Sequence, residues 1–319
     1  MDGGGRVKNK RKIVVANTRD DSLTFIELEN WTKIEKWNLK DSIKFNKNIN
    51  MQSIYLGPYE LECDMEGNLY CTNVYDNSIL KIDLERKEIV DLLAVGKYPT
   101  CIKYFENKLF VANTDSNSIS IVDVKDFLLV ENIQVGEKPL DIEIDKENKM
   151  MYIANFSGQS IDIIDLKNYE KITIKLKDTP VKMTIYNGKL LILSNINNGS
   201  LNKSNISNIS LIDLKDYRKE NIKSFGGIFS NMLKLKGREI VFTTNMDNGY
   251  LYKIDIERRN LLSKTYLSGM PNKLEWDGNN LLFITNVSKN FLTIFDINSN
   301  KVLDNIEVGN EPNSVFLLN

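Results

Sequence analysis

The sequence predicts an all-β fold, a seven-bladed β-propeller whose blades are four-stranded antiparallel sheets. Three observations predict it. An apolar run ending in asparagine recurs along the chain, an acidic residue follows at a nearly constant distance, and every proline falls at one phase of this repeat. No window shows a convincing helical period. Four short strands that recur about every 40 residues are typical of propeller blades.

The first marker is an asparagine that closes an apolar run, as in "FVAN". It occurs seven times, at Asn17, Asn73, Asn113, Asn155, Asn195, Asn245 and Asn286. Six copies have an acid ten residues later: Glu27, Asp83, Asp123, Asp165, Asp255 and Asp296. In the fifth copy Asp213 follows after eighteen residues, because a polar loop is inserted. We expect the asparagine to form an Asx-type turn between strands two and three, and the acid to cap the next turn.

The prolines mark the start of each blade. All six share one slot: Pro58, Pro99, Pro139, Pro180, Pro271 and Pro312. The remaining repeat has Ser230 in this slot. Proline cannot donate to a strand ladder but tolerates the first strand position, so it predicts a hinge. The glycine before it, as in "VGEKP", predicts a tight backbone turn.

The chain ends do not coincide with blade ends. Ile13 to Asn17 begins with a second strand, whereas Pro312 to Leu318 supplies only a first strand. We therefore expect the C-terminal strand to pair with the N-terminal strand and close the ring. This predicts one propeller domain over residues 13–319. A disordered basic tail over residues 1–12, with Lys8, Lys10, Arg11 and Lys12, is expected to precede it.

These markers resemble those of the YVTN-repeat β-propeller family, which includes surface-layer-type propellers. "NTDSNSISIVDVKDFLLVENIQVGEKPLDIEID" fits closely, whereas the fifth and sixth copies diverge; the resemblance covers residues 13–319. It implies a seven-bladed, WD-like ring and, for many relatives, a cell-surface or exported location. It carries over no catalytic residue, because the markers of the family are structural.

The charge balance excludes some partners. Forty-two basic and forty-three acidic residues give a formal charge of -1, so no global field attracts nucleic acid or anionic membrane. No apolar stretch is long enough for a membrane span, and the start has no hydrophobic signal region. We expect no nucleic-acid partner, no membrane span and a cytoplasmic location, or an exported one if this start is a processed one. The oligomeric state is not predicted.

Histidine is absent and cysteine is scarce. Without histidine, His-based catalytic triads, His-ligated zinc and His-ligated haem are excluded. Cys63, Cys71 and Cys101 are an odd number without a metal-binding spacing, which favours a reducing compartment. We expect small buried thiols, although Cys63 and Cys71 could pair across a hairpin. No cofactor, metal site or catalytic residue is predicted.

Strand order places the proline hinges and the asparagine turns on one face of the ring, named the hinge face. The two insertions, after Asn195 and between Glu27 and Pro58, fall there too. Loops on a rigid ring are common binding sites, so we expect a partner on this face. The predicted contributors are Tyr59, Tyr98, Lys138, Phe156, Phe229, Met270 and Glu311.

The first strand of each blade is expected to line a central channel. Its third residue after the hinge should pack between blades, and its second and fourth should face the channel. In the sixth repeat this places Leu233 between blades and Met232 and Lys234 in the channel. The predicted charged channel residues are Glu60, Glu62, Lys103, Asp141, Glu143, Lys182, Lys273 and Glu275. The five acids could form a collar for a cation, or the channel could hold water between offsetting charges.

The sequence leaves three functions open. The favoured one is a non-enzymatic binding or scaffolding propeller with a protein, peptide or glycan partner on the hinge face. The alternative is a metal-dependent hydrolase or lactonase with an oxygen-ligand site in the channel. The family resemblance adds a structural component of an envelope or spore surface.

Overall fold

The computed structural model describes residues 11–42, 55–196 and 205–318, which form a ring of seven four-stranded antiparallel sheets. The first blade contains β28 (Pro312–Leu318), β1 (Lys12–Asn17), β2 (Ser22–Glu27) and β3 (Asn30–Asn38). The second contains β4 (Pro58–Cys63), β5 (Leu69–Asn73), β6 (Ser78–Asp83) and β7 (Glu88–Ala94). The third contains β8 (Pro99–Phe105), β9 (Lys108–Asn113), β10 (Ser118–Asp123) and β11 (Leu128–Gln134).

The other four blades repeat this order. The fourth contains β12 (Pro139–Asp145), β13 (Met150–Asn155), β14 (Ser160–Asp165) and β15 (Lys171–Lys175). The fifth contains β16 (Thr179–Tyr186), β17 (Lys189–Ile196), β18 (Ile206–Asp213) and β19 (Lys219–Gly226). The sixth contains β20 (Phe229–Lys234), β21 (Ile240–Asn245), β22 (Tyr250–Asp255) and β23 (Asn260–Tyr266). The seventh contains β24 (Pro271–Trp276), β25 (Leu281–Asn286), β26 (Phe291–Asp296) and β27 (Lys301–Glu307). The predicted fold class is confirmed.

Helix is almost absent. Within the described ranges the single helical element is a 3-10 turn, Lys40–Ser42, and no helix there is long and apolar enough to cross a membrane. The first ten residues, most of the insertion before Pro58 and most of the insertion after Asn195 lie outside the described residues. The predicted disordered tail and the contribution of the insertions therefore stay predictions.

The ring closes as predicted, through the pairing of the two chain ends. β28 runs antiparallel to β1, with register partners from Lys12 and Leu318 to Asn17 and Pro312. Val315 and Leu317 on β28 pack with β1 and with the seventh blade in one buried cluster. The closing strand therefore supplies both ladder hydrogen bonds and apolar packing.

Apolar clusters fill the space between neighbouring blades. The innermost strands contribute at least one buried residue to each, and at the central position these residues are Leu61, Ile102, Ile142, Met183, Met232, Leu274 and Val315. Six of these match the predicted layer. In the sixth blade the prediction is wrong by one residue, because Phe229 and not Ser230 pairs with Asn245, as Pro58 pairs with Asn73. Met232 therefore packs between blades, and Leu233 does not take that position.

Six of the seven marker asparagines are buried, Asn195 being the exception, and most do not form the predicted Asx turns. Asn73 and Asn155 donate through Nδ2 to the hydroxyls of Ser78 and Ser160, at 2.9 and 3.2 Å. Asn245 does form such a turn, accepting the backbone N–H of Asp247 at 3.1 Å. The Asx-turn prediction is therefore wrong for Asn73 and Asn155, whose side chains bridge strands two and three.

The acidic markers cap the following turn, as predicted. Asp83 accepts the backbone N–H groups of Glu85 and Arg86, both at 2.9 Å. The same contact to a turn N–H is made by Asp123, Asp165, Asp213, Asp255 and Asp296. These carboxylates satisfy donors that no strand partner reaches.

Two hinge-loop glycines, Gly96 and Gly136, are required for close packing and not for a left-handed turn. Gly96 and Gly136 do not have positive φ. A Cβ on Gly96 would lie 2.6 Å from the Asn113 side chain, and one on Gly136 would lie 2.5 Å from that of Asn155. The chain bends at these two glycines without a left-handed conformation, which Gly57, Gly227 and Gly269 do adopt in the other hinge loops. The glycine and asparagine markers recur together because they touch.

Replacing Gly136 with alanine should therefore destabilise the ring. The added methyl overlaps the buried Asn155 amide, and overpacking of this kind costs about 1–3 kcal/mol. Urea unfolding followed by circular dichroism measures the loss. Gly226→Ala is the matched control, since nothing lies within 4 Å of a Cβ there and its φ is not positive. Equal stability of the two variants would contradict the contact.

Removing residues 312–319 should lower Tm by about 10 °C or more, because β1 loses its ladder partner and the buried cluster loses two residues. Differential scanning calorimetry of the truncated chain tests this. Adding the missing segment as a synthetic peptide should restore part of the loss. An unchanged Tm would show that the pairing does not hold the ring.

Candidate functional site

The central channel is lined by the innermost strands β4, β8, β12, β16, β20, β24 and β28. All eight predicted charged residues lie on its wall. In the sixth blade Asn231 and Leu233 take the channel positions, and the predicted placement of Met232 there is wrong because the shifted register directs its side chain into the buried cluster between the fifth and sixth blades. Lys234 reaches the channel wall, but its ammonium donates to the backbone carbonyls of Leu235 and Arg238.

The channel residues form two layers, because side chains two apart on a strand point the same way. The hinge-side layer contains Glu60, Cys101, Asp141, Lys182, Asn231, Lys273 and Ser314. The far layer, nearer the opposite face, contains Glu62, Lys103, Glu143, Thr184, Leu233, Glu275 and Phe316. The five predicted acids are thus divided between two depths.

The charges of the hinge-side layer are paired directly. Lys182 Nζ lies 2.5 Å from Asp141 Oδ1, and Lys273 Nζ lies 2.6 Å from Glu60 Oε1. Asp141 also accepts the backbone N–H of Met183 at 2.8 Å. Burial opposes the charge of Lys182, but the adjacent Asp141 outweighs it and raises the pKa of Lys182. This layer fits the interpretation in which opposite charges offset one another.

The charges of the far layer are not paired directly. In the described part of the chain, Lys103, Glu62, Glu143 and Glu275 have no ion pair within 4 Å. Glu143 accepts the Ile185 N–H at 3.0 Å, and Glu62 accepts the Cys63 N–H at 3.1 Å.

Burial raises the pKa of all three far-layer acids, and it raises that of Glu275 to about 7. Burial also opposes the charge of Lys103, but the carboxylates around it, Glu62 first, raise its pKa. This layer therefore holds four titratable groups whose mutual attraction acts at a distance, and its protonation state is sensitive to pH.

The cation collar is not assembled as one group of ligands. Across residues 11–42, 55–196 and 205–318, no group of three or more acids or cysteines is arranged to hold a metal ion. Glu60 and Asp141 are held by lysines, and the other acids lie one layer away. The residues present do not form a hard-cation cage, which needs about six oxygen ligands.

The cysteines are free and are not poised as nucleophiles. Leu61 faces Cys71 across the hairpin, and Cys63 faces Leu69, so Cys63 and Cys71 are not cross-strand partners. Burial raises the pKa of Cys63 to about 12 and that of Cys101 to about 11. The expected burial is found for Cys71 and Cys101, whereas Cys63 is partly exposed.

The hinge face carries six of its seven predicted contributors at or near the surface. Tyr98, Lys138 and Met270 are exposed, and Tyr59, Phe156 and Glu311 are partly exposed. The placement of Phe229 is wrong: its side chain is fully buried and packs on Phe225 and Tyr252, with ring centroids 5.5 and 4.9 Å apart. It fills the hinge slot that proline fills elsewhere.

Three exposed tyrosines lie beside the channel mouth on this face. Tyr55, Tyr75 and Tyr98 are 67%, 50% and 37% exposed, and Tyr59 lines the mouth itself. Partial burial first, and then the charge of Tyr75, raises the pKa of Tyr98. Tyr55 and Tyr75 were not predicted; an aromatic residue in a polar asparagine turn was the available signal for Tyr75.

The turn asparagines hold the hinge loops. The backbone N–H of Tyr98 donates to Asn77 at 2.9 Å, and that of Lys138 donates to Asn117 at 2.9 Å. Both Tyr98 and Lys138 have positive φ, near 55°, an uncommon conformation for residues other than glycine. The turn of one blade thus fixes the surface residue of the next blade.

The raised pKa of Glu275 predicts a pH effect on stability. A carboxyl whose pKa is higher in the folded state binds its proton more tightly there, so stability falls as pH rises from 4.5 to about 7. Glu275→Gln should reduce this fall, and the exposed Glu307→Gln should not. Urea midpoints across this range measure it. Identical pH profiles for Glu275→Gln and the unchanged protein would contradict it.

Several solved structures share the fold. Hydrazine synthase from Kuenenia stuttgartiensis has a TM-score of 0.69 and 18% identity, over 85% of this chain and 92% of its own. A candidate 6-phosphogluconolactonase from Bacteroides fragilis has a TM-score of 0.71 and 13% identity, over 98% and 99%. AztD from Citrobacter koseri has a TM-score of 0.66 and 12% identity, over 97% and 98%. At these identities the likeness shows the fold alone.

Comparison of the sequence with curated proteins gave no match. The model of the YNCE-like β-propeller family, in contrast, matches residues 106–319, which is more than half of the chain. This agrees with the resemblance carried by the repeat markers. The chain therefore belongs to the YNCE-like β-propeller family.

Proposed function

We propose that this protein is a non-enzymatic binding propeller that engages a protein, peptide or glycan partner on its hinge face. The observation that carries the proposal is the group of exposed tyrosines, Tyr55, Tyr75 and Tyr98, beside the channel mouth. Tyrosine combines a large apolar ring with a hydrogen-bonding hydroxyl and is enriched at binding interfaces. Exposed tyrosines beside the channel mouth are therefore well suited to bind a partner.

The surroundings of the tyrosines support the same proposal. Asp115 pairs with Lys138 at 2.5 Å, and Glu311 lies 3.6 Å from Arg19, so charged groups surround the rings. Tyr98 and Lys138 are fixed by side chains of the preceding blade. A surface held in place before binding loses less conformational entropy when a partner docks.

A second candidate, a hydrolase or lactonase acting in the channel, is favoured by one observation. Glu275 lines the channel, and its pKa of about 7 is in the range useful for general acid–base catalysis at neutral pH. In this candidate Glu275 would transfer the proton and a divalent cation would polarise the substrate. The described acids do not form a ready-made cage for that cation.

Peptide and glycan arrays probed with the purified protein test the first function. We expect binders whose affinity falls about tenfold or more in the double variant Tyr75→Ser/Tyr98→Ser, since interfacial tyrosines are frequent hot spots. Tyr217→Ser is the matched control, because Tyr217 is 40% exposed but lies in a turn on the opposite face. Binders unaffected by the double variant would contradict the assignment of the face.

Hydrolysis of a panel of lactones and esters with added Mg²⁺, Ca²⁺ or Mn²⁺ tests the second candidate. Turnover that is abolished in Glu275→Gln and retained in Glu307→Gln would establish it. Turnover equal in all three proteins would attribute the activity to a contaminant.

A further inference from the structure

A second concave site opens on the face opposite the hinge face. A cavity of about 770 Å³ lies at the ends of β4, β8 and β12 and the turns that follow them. Cys63, Met65, Tyr104, Phe105 and Ile144 provide an apolar wall. This volume is in the range typical of small-molecule sites, which are mainly apolar with a few polar groups.

The floor of this cavity is the far layer of the channel. Glu62, Lys103 and Glu143 line both this cavity and a deeper one of about 210 Å³, which also contains Glu275. A ligand entering from the opposite face would thus pass the apolar wall and meet charged groups at the end.

The other acids of the outer cavity already have hydrogen-bond or ion-pair partners within the protein. Asp64 accepts bonds from the N–H groups of Glu66 and Asn68, both at 2.9 Å, and from the Tyr70 hydroxyl at 2.8 Å. Glu106 pairs with Lys149 at 2.7 Å. The charges left for a ligand are those of the floor and the exposed ammonium of Lys146 at the rim.

The two channel layers differ in whether their lysines contact an acid. The hinge-side lysines contact their acids at 2.5 and 2.6 Å, whereas Lys103 has no acid within 4 Å among the described residues. Buried charges without direct partners are costly unless something bridges them. The far layer contains charged groups of the kind that bind ligands. Unlike the charges of the hinge-side layer, these groups do not form direct lysine–acid contacts with one another.

We propose that the far layer and the outer cavity together bind a small zwitterion with an apolar body, of the α-amino acid type. Its ammonium would lie among Glu62, Glu143 and Glu275, its carboxylate on Lys103, and its side chain against the apolar wall. A ligand with only a cation would leave the buried Lys103 without a direct partner, and one with only an anion would be repelled by the three acids. The site is on the other face from the proposed partner, and it does not depend on that proposal.

Isothermal titration calorimetry with three matched probes tests the inference. Phenylalanine carries both charges, phenethylamine lacks the carboxylate, and 3-phenylpropionate lacks the ammonium. We expect phenylalanine to bind about tenfold or more tightly than either of the others, which corresponds to about 1.4 kcal/mol. No binding of any probe, or phenethylamine binding as tightly as phenylalanine, would overturn the proposal.

Variants then assign the charges. Lys103→Met should reduce the affinity for phenylalanine to that for phenethylamine, and Glu275→Gln should reduce the advantage of phenylalanine over 3-phenylpropionate. Lys253→Met is the control, because Lys253 lines neither cavity and its ammonium donates to the Ile297 carbonyl and the Asn300 side chain. Phenylalanine affinity unchanged in folded Lys103→Met would overturn the site.

Thermal unfolding checks that each variant is folded. If Lys103→Met does not fold, Phe105→Ser replaces it, since Phe105 lies in the apolar wall and is only partly buried. This variant should weaken the binding of all three probes and preserve their order. Equal affinities for phenylalanine in Phe105→Ser and the unchanged protein would also overturn the site.

Discussion

The pairing of β28 with β1 is the constraint on which the rest of the molecule depends. It joins the last innermost strand to a blade that otherwise begins with its second strand, and so it turns a row of blades into a ring. Each interblade cluster receives at least one side chain from an innermost strand, and closure supplies Val315 and Leu317 to the last of them. A closed ring also brings seven innermost strands around one channel, where acids and lysines from distant parts of the sequence meet: Lys273 pairs with Glu60 only because of closure.

Much of this could be predicted from the sequence, because the blade is a local unit repeated seven times. The strands, the closure, the capping acids and the eight charged channel residues all follow from periodicity. The errors come from contacts that periodicity does not encode. Phe229 substitutes for a proline and shifts the sixth blade by one residue, so Met232 is buried and the ring of Phe229 is not at the surface. Gly96 and Gly136 are constrained by the side chain of a buried asparagine, and not by their own φ.

The candidate site was only partly predictable for the same reason. Sequence placed the charged residues in the channel, but only the three-dimensional structure shows that one layer is paired and the other is open. Side-chain directions between different blades decide that Lys182 contacts Asp141, and that Lys103 contacts no acid among the residues that the structure describes. The tyrosines beside the mouth come from an insertion, a turn and a hinge loop, which are adjacent only in the folded ring. The scaffold therefore follows from the markers that recur in each repeat. The groups at the two mouths of the channel come from residues that differ between repeats.

The central claim is that the channel divides into a closed hinge-side layer and an open far layer. An experimental structure at a resolution that reveals ordered solvent tests it most directly, on protein purified without added ligands or chelators. We predict direct Lys182–Asp141 and Lys273–Glu60 contacts, and a bridging water or small molecule between Lys103 and the acids Glu62, Glu143 and Glu275. Direct ion pairs from Lys103 to these acids, with nothing bound between them, would contradict the division.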